Sequence, residues 1–188
     1  MAFLSILKDE IFVAVDGDVP ALKIPQQILD EMVAHARELA PYECCGLLAG
    51  KGGTVTHHYR IKNIVAQEGA EELSSFDEAK ASHLKRLSPQ ERAEIAFIMD
   101  MYDFSLAKKD MRGQGTELQI VYHSHPHSPA RPSITDIKIA TEYEDIWGKI
   151  NLAEPLYIIL SLQDAYKPDI RAYSIKEQKV IPADFTAI

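Results

Sequence analysis

His123-Ser124-His125-Pro126-His127-Ser128-Pro129-Ala130-Arg131-Pro132-Ser133-Ile134-Thr135-Asp136 joins the end of an apolar run, Glu117 to His123, to the start of an amphipathic one, Ile134 to about Ile150. The first run reads as a strand and the second as a helix. His123 and His125 lie two residues apart, so a strand period of two turns both imidazoles to one face. Asp136 falls in the first turn of the helix, and the proline-rich loop can fold that turn back to the strand end. Two imidazoles and one carboxylate suit zinc, with a fourth position left for water. Such a site also needs a base for the proton and a donor for the developing oxyanion. Each residue taken alone has a plainer reading. Ser133-x-x-Asp136 ahead of Ile137 is also a helix N-terminal box that needs no metal, and both readings can hold together. An isolated His-x-His on a strand is more often exposed or hydrogen-bonded than metal-bound.

The other histidines are read as lying outside the site. His127 is a loop residue, since a third imidazole would crowd the first two. His57 and His58 are adjacent in a strand and face opposite ways. His35 and His83 sit on or near polar helix surfaces.

Upstream, Glu10 to Val15 reads as a short strand. Ile24 to Ala40 reads as a helix with Pro25 at its first position, and Ile28, Leu29, Met32, Val33, Ala36 and Leu39 form its apolar face. Pro41 stops it. Cys45 to Ala49 and Val55 to Val65 read as strands around the turn Gly50-Lys51-Gly52-Gly53. Ala66 to Ser88 begins acidic, with Glu68, Glu71 and Glu72, and is assigned no element. Ser88-Pro89-Gln90-Glu91 is a helix start, and the expected helix runs to about Lys108 with Ile95, Ile98, Met99, Tyr102 and Leu106 on one side. Arg112 to Gly115 reads as a loop. Leu156 to Leu162, Ile170 to Ile175 and Lys179 to Ile181 read as closing strands. Strands and helices are interspersed without strict alternation, which favours a mixed sheet with packed helices over a doubly wound parallel sheet.

The 188 residues suit one domain, 46% of them apolar and 26% charged. A net charge of −8 opposes phosphate backbones and argues against nucleic acid as a partner. No apolar run reaches the roughly 20 residues of a membrane span. Met1 to Pro20 lacks the basic and apolar regions of a secretory signal, so a cytoplasmic protein is expected. Cys44 and Cys45, the two cysteines, are adjacent and poorly placed for a disulfide or a zinc knuckle, so they read as small buried residues.

Together, His123-Ser124-His125-Pro126, six residues, Ser133, two residues and Asp136 resemble the signature of the JAMM metalloproteases, the MPN domains with an intact metal site. Pro41-Tyr42-Glu43-Cys44-Cys45-Gly46-Leu47-Leu48-Ala49-Gly50 is similar to that family's glutamate-bearing strand, so the resemblance spans Ile24 to about Ile175. It implies an α/β (α+β) fold with a mixed, largely antiparallel curved sheet flanked by helices, of cytidine-deaminase-like architecture. It further implies one Zn2+ per chain on His123, His125 and Asp136. Glu43 would be the general acid and base, although a glutamate between a helix end and a strand is usually solvated surface. Ser133 would be the oxyanion donor. The implied activity is hydrolysis of the amide bond after the Gly-Gly tail of a ubiquitin-like or sulfur-carrier protein, the tail adding a strand at a sheet edge. The alternatives are a non-catalytic MPN-like scaffold, or a peptidase of the same type with an unrelated peptide substrate. A zinc nucleoside deaminase is set aside, because His-x-Glu and Cys-x-x-Cys are missing. Residues 66–114 are longer than the compact family form and read as an insert in a single domain: a lid, a partner-binding or homodimer surface, or ordinary core packing.

Overall fold

The computed structural model describes residues 22–67, 73 and 76–188. The expected strand Glu10 to Val15 lies outside them. The chain runs β1 (Leu22–Ile24), α1 (Gln26–Leu39), β2 (Cys45–Lys51), β3 (Thr54–Ile61), α2 (Glu78–Leu84), α3 (Pro89–Ala93), α4 (Met101–Gln114), β4 (Glu117–His125), α5 (Ile134–Lys149), β5 (Leu156–Ser161), β6 (Asp169–Lys176), β7 (Lys179–Ala183) and β8 (Phe185–Ala187). No helix among the described residues is long and apolar enough to cross a membrane.

The strands form one mixed sheet in the order β7-β6-β5-β4-β2-β3-β1-β8. The pairs β2–β3, β2–β4, β5–β6 and β6–β7 are antiparallel, while β4–β5, β1–β3 and β1–β8 are parallel. Consecutive hairpins explain three of the antiparallel pairs. The parallel pair β4–β5 needs a crossover, and α5 supplies it. That crossover starts at the C-terminal end of β4, so the first turn of α5 stands beside the last residues of the strand.

Helices cover both faces of the central strands, which is why β2 is an unbroken buried run rather than an alternating one. On one face, Ile28, Leu29, Met32 and Ala36 of α1 pack with Leu48, Ile120, Tyr122, Ile158 and Leu160. On the other, Phe104, Ala107 and Met111 of α4 and Trp147 of α5 pack with Cys45, Leu47, Ala49, Leu118 and Val121. A separate cluster gathers Val65, Leu73, Phe76, Leu84, Ala93 and Ala96, with Ile139 of α5 against it.

Several boundaries differ from the sequence expectation. Ile24 ends a strand and Pro25 is the N-cap of α1 rather than its first helical residue. The helix expected from Pro89 to Lys108 breaks in two. Its backbone at 98–100 pairs with 62–64: Ile64 N–H donates to Ile98 O (2.9 Å) and Asp100 N–H to Lys62 O (2.9 Å). Asp100 then caps a new helix by accepting from Tyr102 and Asp103 N–H. The expected apolar face holds only in part for the same reason: Ile98 and Met99 pack against the core, while Ile95, Tyr102 and Leu106 are exposed and Phe104, Ala107 and Met111 are buried. The expected loop at Arg112 is still helical, and Gly115 ends α4 with a left-handed φ of 64°. The sequence pattern marks neither α2 nor β8. Both depend on distant partners: β8 on β1, and α2 on the cluster around Phe76.

Candidate metal centre

His123 and His125 lie at the end of β4 and are buried. Their Nε2 atoms stand 3.0 Å apart. Asp136 reaches them from the first turn of α5, with Oδ1 at 3.5 Å from His123 Nε2 and Oδ2 at 3.6 Å from His125 Nε2. Among the described residues these three form the group able to hold a metal, with ligand atoms all within 4.8 Å of one another. Four ligands at 2.0–2.1 Å around a tetrahedral zinc stand about 3.3 Å from each other, so the observed spacing fits that ion. The tautomer fits as well. His125 Nδ1 donates to Pro129 O (3.0 Å), which leaves Nε2 as a free lone pair aimed into the cluster.

Local chemistry explains why Asp136 is there. Ser133 and Asp136 form a capping box: Asp136 N–H donates to Ser133 Oγ (3.2 Å), and Ser133 N–H donates to Asp136 Oδ2 (2.7 Å). The capping box does not take the Asp136 carboxylate away from the imidazoles, because Oδ1 and Oδ2 both also face them. Ser133 is exposed beside the cluster, and its hydroxyl proton is free of the capping bond.

Burial pulls the Asp136 carboxyl up, but the His123 and His125 imidazoles outweigh it and hold the group well below the usual range. For His125 burial pulls the other way, and Asp136 with the Pro129 carbonyl raises the imidazole overall. Glu43, between α1 and β2, is 7% exposed. Burial, reinforced by the charge of Asp136 and opposed by Lys80, pushes its carboxyl well up. A carboxyl held that high suits a group that must both take and give a proton.

The structure thus brings His123, His125 and Asp136 together, with Glu43 within the field of Asp136 and Ser133 on the same helix turn. Cys44 and Cys45 are free and buried. His127 is exposed in the loop, 3.9 Å from Glu94. One expectation is overturned. His35 is buried at 5% exposure rather than on a polar helix surface, because Tyr122 and His58 meet it from the sheet.

Two residues near the site carry no sequence signal. Phe97 stacks on the His123 ring, with centroids 4.7 Å apart and planes at 28°. Asn63 donates to the Glu43 carbonyl (2.9 Å). Asn63 falls in the expected strand Val55 to Val65 and Phe97 in the expected helix after Pro89, and neither period says which distant group the side chain meets.

The profile of prokaryotic homologs of the JAB domain matches residues 25–176. A "CysO-cysteine peptidase" of Mycobacterium tuberculosis is 30% identical over 165 residues, which cover 87% of this chain and 89% of that one. A "Probable TtuB-protein conjugate cleaving protease" of Thermus thermophilus is 29% identical over 119 residues, 63% of each chain. The solution structure of a Desulfitobacterium hafniense protein superposes with a TM-score of 0.61 at 29% identity, covering 89% of this chain and 92% of that one.

Proposed function

The chain belongs to the prokaryotic JAB-domain homologs of the JAMM/MPN family, and from that membership we propose that it is a zinc-dependent peptidase cleaving the amide bond after the C-terminal Gly-Gly of a sulfur-carrier or other ubiquitin-like protein. The observation that carries this reading is the convergence of ligand atoms from His123, His125 and Asp136, with a buried glutamate, Glu43, within the field of Asp136. The relatives named for CysO-cysteine and TtuB-conjugate cleavage support the substrate class.

His123, His125 and Asp136 hold the metal. When bound, zinc supplies Lewis acidity to the attacking water and to the scissile carbonyl. Glu43 takes a proton from the attacking water and returns it to the leaving amine, so its raised proton affinity serves both steps. Ser133 donates a hydrogen bond from its hydroxyl to the oxyanion that develops on the carbonyl oxygen. The Ser133–Asp136 box fixes that donor and the carboxylate ligand in one rigid helix turn.

The test is cleavage of a panel of carrier–peptide fusions joined through a Gly-Gly tail, with and without chelator. Cleavage after Gly-Gly is expected, lost on chelation and restored by zinc. Glu43→Gln is expected to lower kcat by about 10²–10⁴-fold while keeping one zinc per chain. Turnover that survives complete metal removal, or a Glu43→Gln variant as active as the parent, rules the assignment out.

A further inference from the structure

We propose that Asn63 is a positioning residue of this site: it fixes the 93–98 segment against Glu43, and thereby sets where the glutamate stands relative to the two imidazoles. The inference rests on the reading of Glu43 as the acid and base.

Asn63 follows β3, in an isolated antiparallel bridge with Met99. Its Nδ2 donates to Glu43 O (2.9 Å) and to Ala96 O (3.1 Å). Its Oδ1 accepts from Val65 N–H (3.1 Å) and Ile98 N–H (3.1 Å). A carboxamide offers two N–H donors and two lone pairs, and all four are used. The Val65 bond alone is an ordinary turn contact of an Asn with the backbone two residues on. The other three serve no local turn, because they join chain segments 20 to 35 residues away.

The stapled segment touches the site at both ends. Glu43 N–H donates to Ala93 O at 2.7 Å. Four residues on, Phe97 stacks on His123 with ring centroids 4.7 Å apart. Between them, residues 94–97 belong to no helix or strand, so no ladder holds them in register. The Ala96 carbonyl and the Ile98 amide take Asn63 as their partner instead. Asn63 therefore bonds to the backbone of the glutamate and to the segment that leans on a metal ligand. Removing the carboxamide frees Glu43 to shift without removing any group that meets substrate. A displacement near 1 Å at a catalytic group costs about 100-fold in rate.

The experiment compares the parent, Asn63→Ala, Asn63→Ser, Glu43→Gln and the Asn63/Glu43 double variants on a Gly-Gly carrier fusion. For Asn63→Ala, kcat is expected to fall about 100-fold with KM within about twofold and zinc content unchanged. In the Glu43→Gln background the same change is expected to add less than about threefold, because the group it positions is gone. In the metal-free protein, amide hydrogen exchange at Glu43 and Ile98 is expected to rise about tenfold or more, with Leu47 and Ile120 unchanged. Should Asn63→Ala fail to fold, Asn63→Ser, which keeps one donor and one acceptor, carries the same comparison. A kcat within twofold of the parent, unchanged exchange at Glu43, or losses that multiply in the double variant overturn the proposal. A parent that cuts no carrier, or a fully active Glu43→Gln, overturns the acid–base reading instead, and the exchange data then still report whether Asn63 holds the segment.

Discussion

On one face of β4, His123 and His125 turn their Nε2 atoms towards each other and towards Asp136. On the opposite face, one residue along, Tyr122 places its hydroxyl between two other histidines, 2.8 Å from His35 Nδ1 and 2.7 Å from His58 Nε2. His58 Nδ1 lies 3.2 Å from Glu31 Oε2 and so carries the proton that bonds it. His58 Nε2 therefore accepts from Tyr122 O–H, and the tyrosine oxygen accepts from His35 Nδ1–H. In this second cluster each of these donors meets an acceptor. In the first, the His125 Nε2 lone pair and the Asp136 carboxylate converge on His123 Nε2, and two imidazoles with one carboxylate are a donor set that a cation satisfies. Residue type is nearly the same on both faces. What separates the two clusters is the group that completes each: a carboxylate beside His123 and His125, with the Pro129 carbonyl behind His125, against a phenol between His35 and His58.

The largest expected contrast is in metal content and turnover. His123→Ala should reduce zinc from one per chain to near zero and bring cleavage to background. His35→Gln should keep both its zinc and its turnover. Elemental analysis beside the cleavage assay checks this, and loss of zinc in His35→Gln breaks the distinction between the two faces.

Acid stability should separate them next. Burial first, then the neighbouring Arg60 and His58, lowers His35 from 6.5 to about 4. The unfolded chain therefore takes a proton there between about pH 6.5 and 4 that the folded chain resists. The neutral imidazole's contribution is intact above pH 6.5 and is lost as pH falls to about 4, a loss of about 3 kcal/mol. Denaturant unfolding across that window should show stability falling with pH in the parent and a flatter profile in His35→Gln. Equal slopes in the two proteins would remove His35 as the cause.

A smaller effect tests the tyrosine. Tyr122→Phe leaves the His35 N–H and the His58 lone pair without a partner, which costs about 1–3 kcal/mol. Zinc content should stay at one per chain, because His123 points to the other face. Chemical unfolding checks the first number and elemental analysis the second.

The space for Tyr122 also shows how a local motif meets a distant contact. A Cβ at Gly46 would stand 2.4 Å from Tyr122 Cε1 and 2.4 Å from Tyr59 O. Glycine in the Cys45-Gly46-Leu47 stretch is thus required by the ring crossing it from the neighbouring strand. The motif is visible in the sequence, while its reason is visible only in the pairing Gly46↔Tyr122.

The sequence by itself determined what depends on short-range geometry. Strand period two put His123 and His125 on one face. The Ser133–Asp136 spacing closed a capping box in the first turn of α5, and that turn carries Asp136, the third member of the cluster. The buried runs of β2 and β4 and the apolar face of α1 were legible for the same reason: a covered face leaves its period in the residues that form it. Tertiary structure decided what depends on partners far along the chain. It broke the helix expected after Pro89, because residues 98–100 found backbone partners at 62–64. It buried His35, because Tyr122 rises from the sheet beneath α1. It brought Asn63 and Phe97 to Glu43 and His123 from segments whose expected strand and helix end short of them. A period records which face of an element is covered; it holds no record of which distant side chain completes a hydrogen bond there.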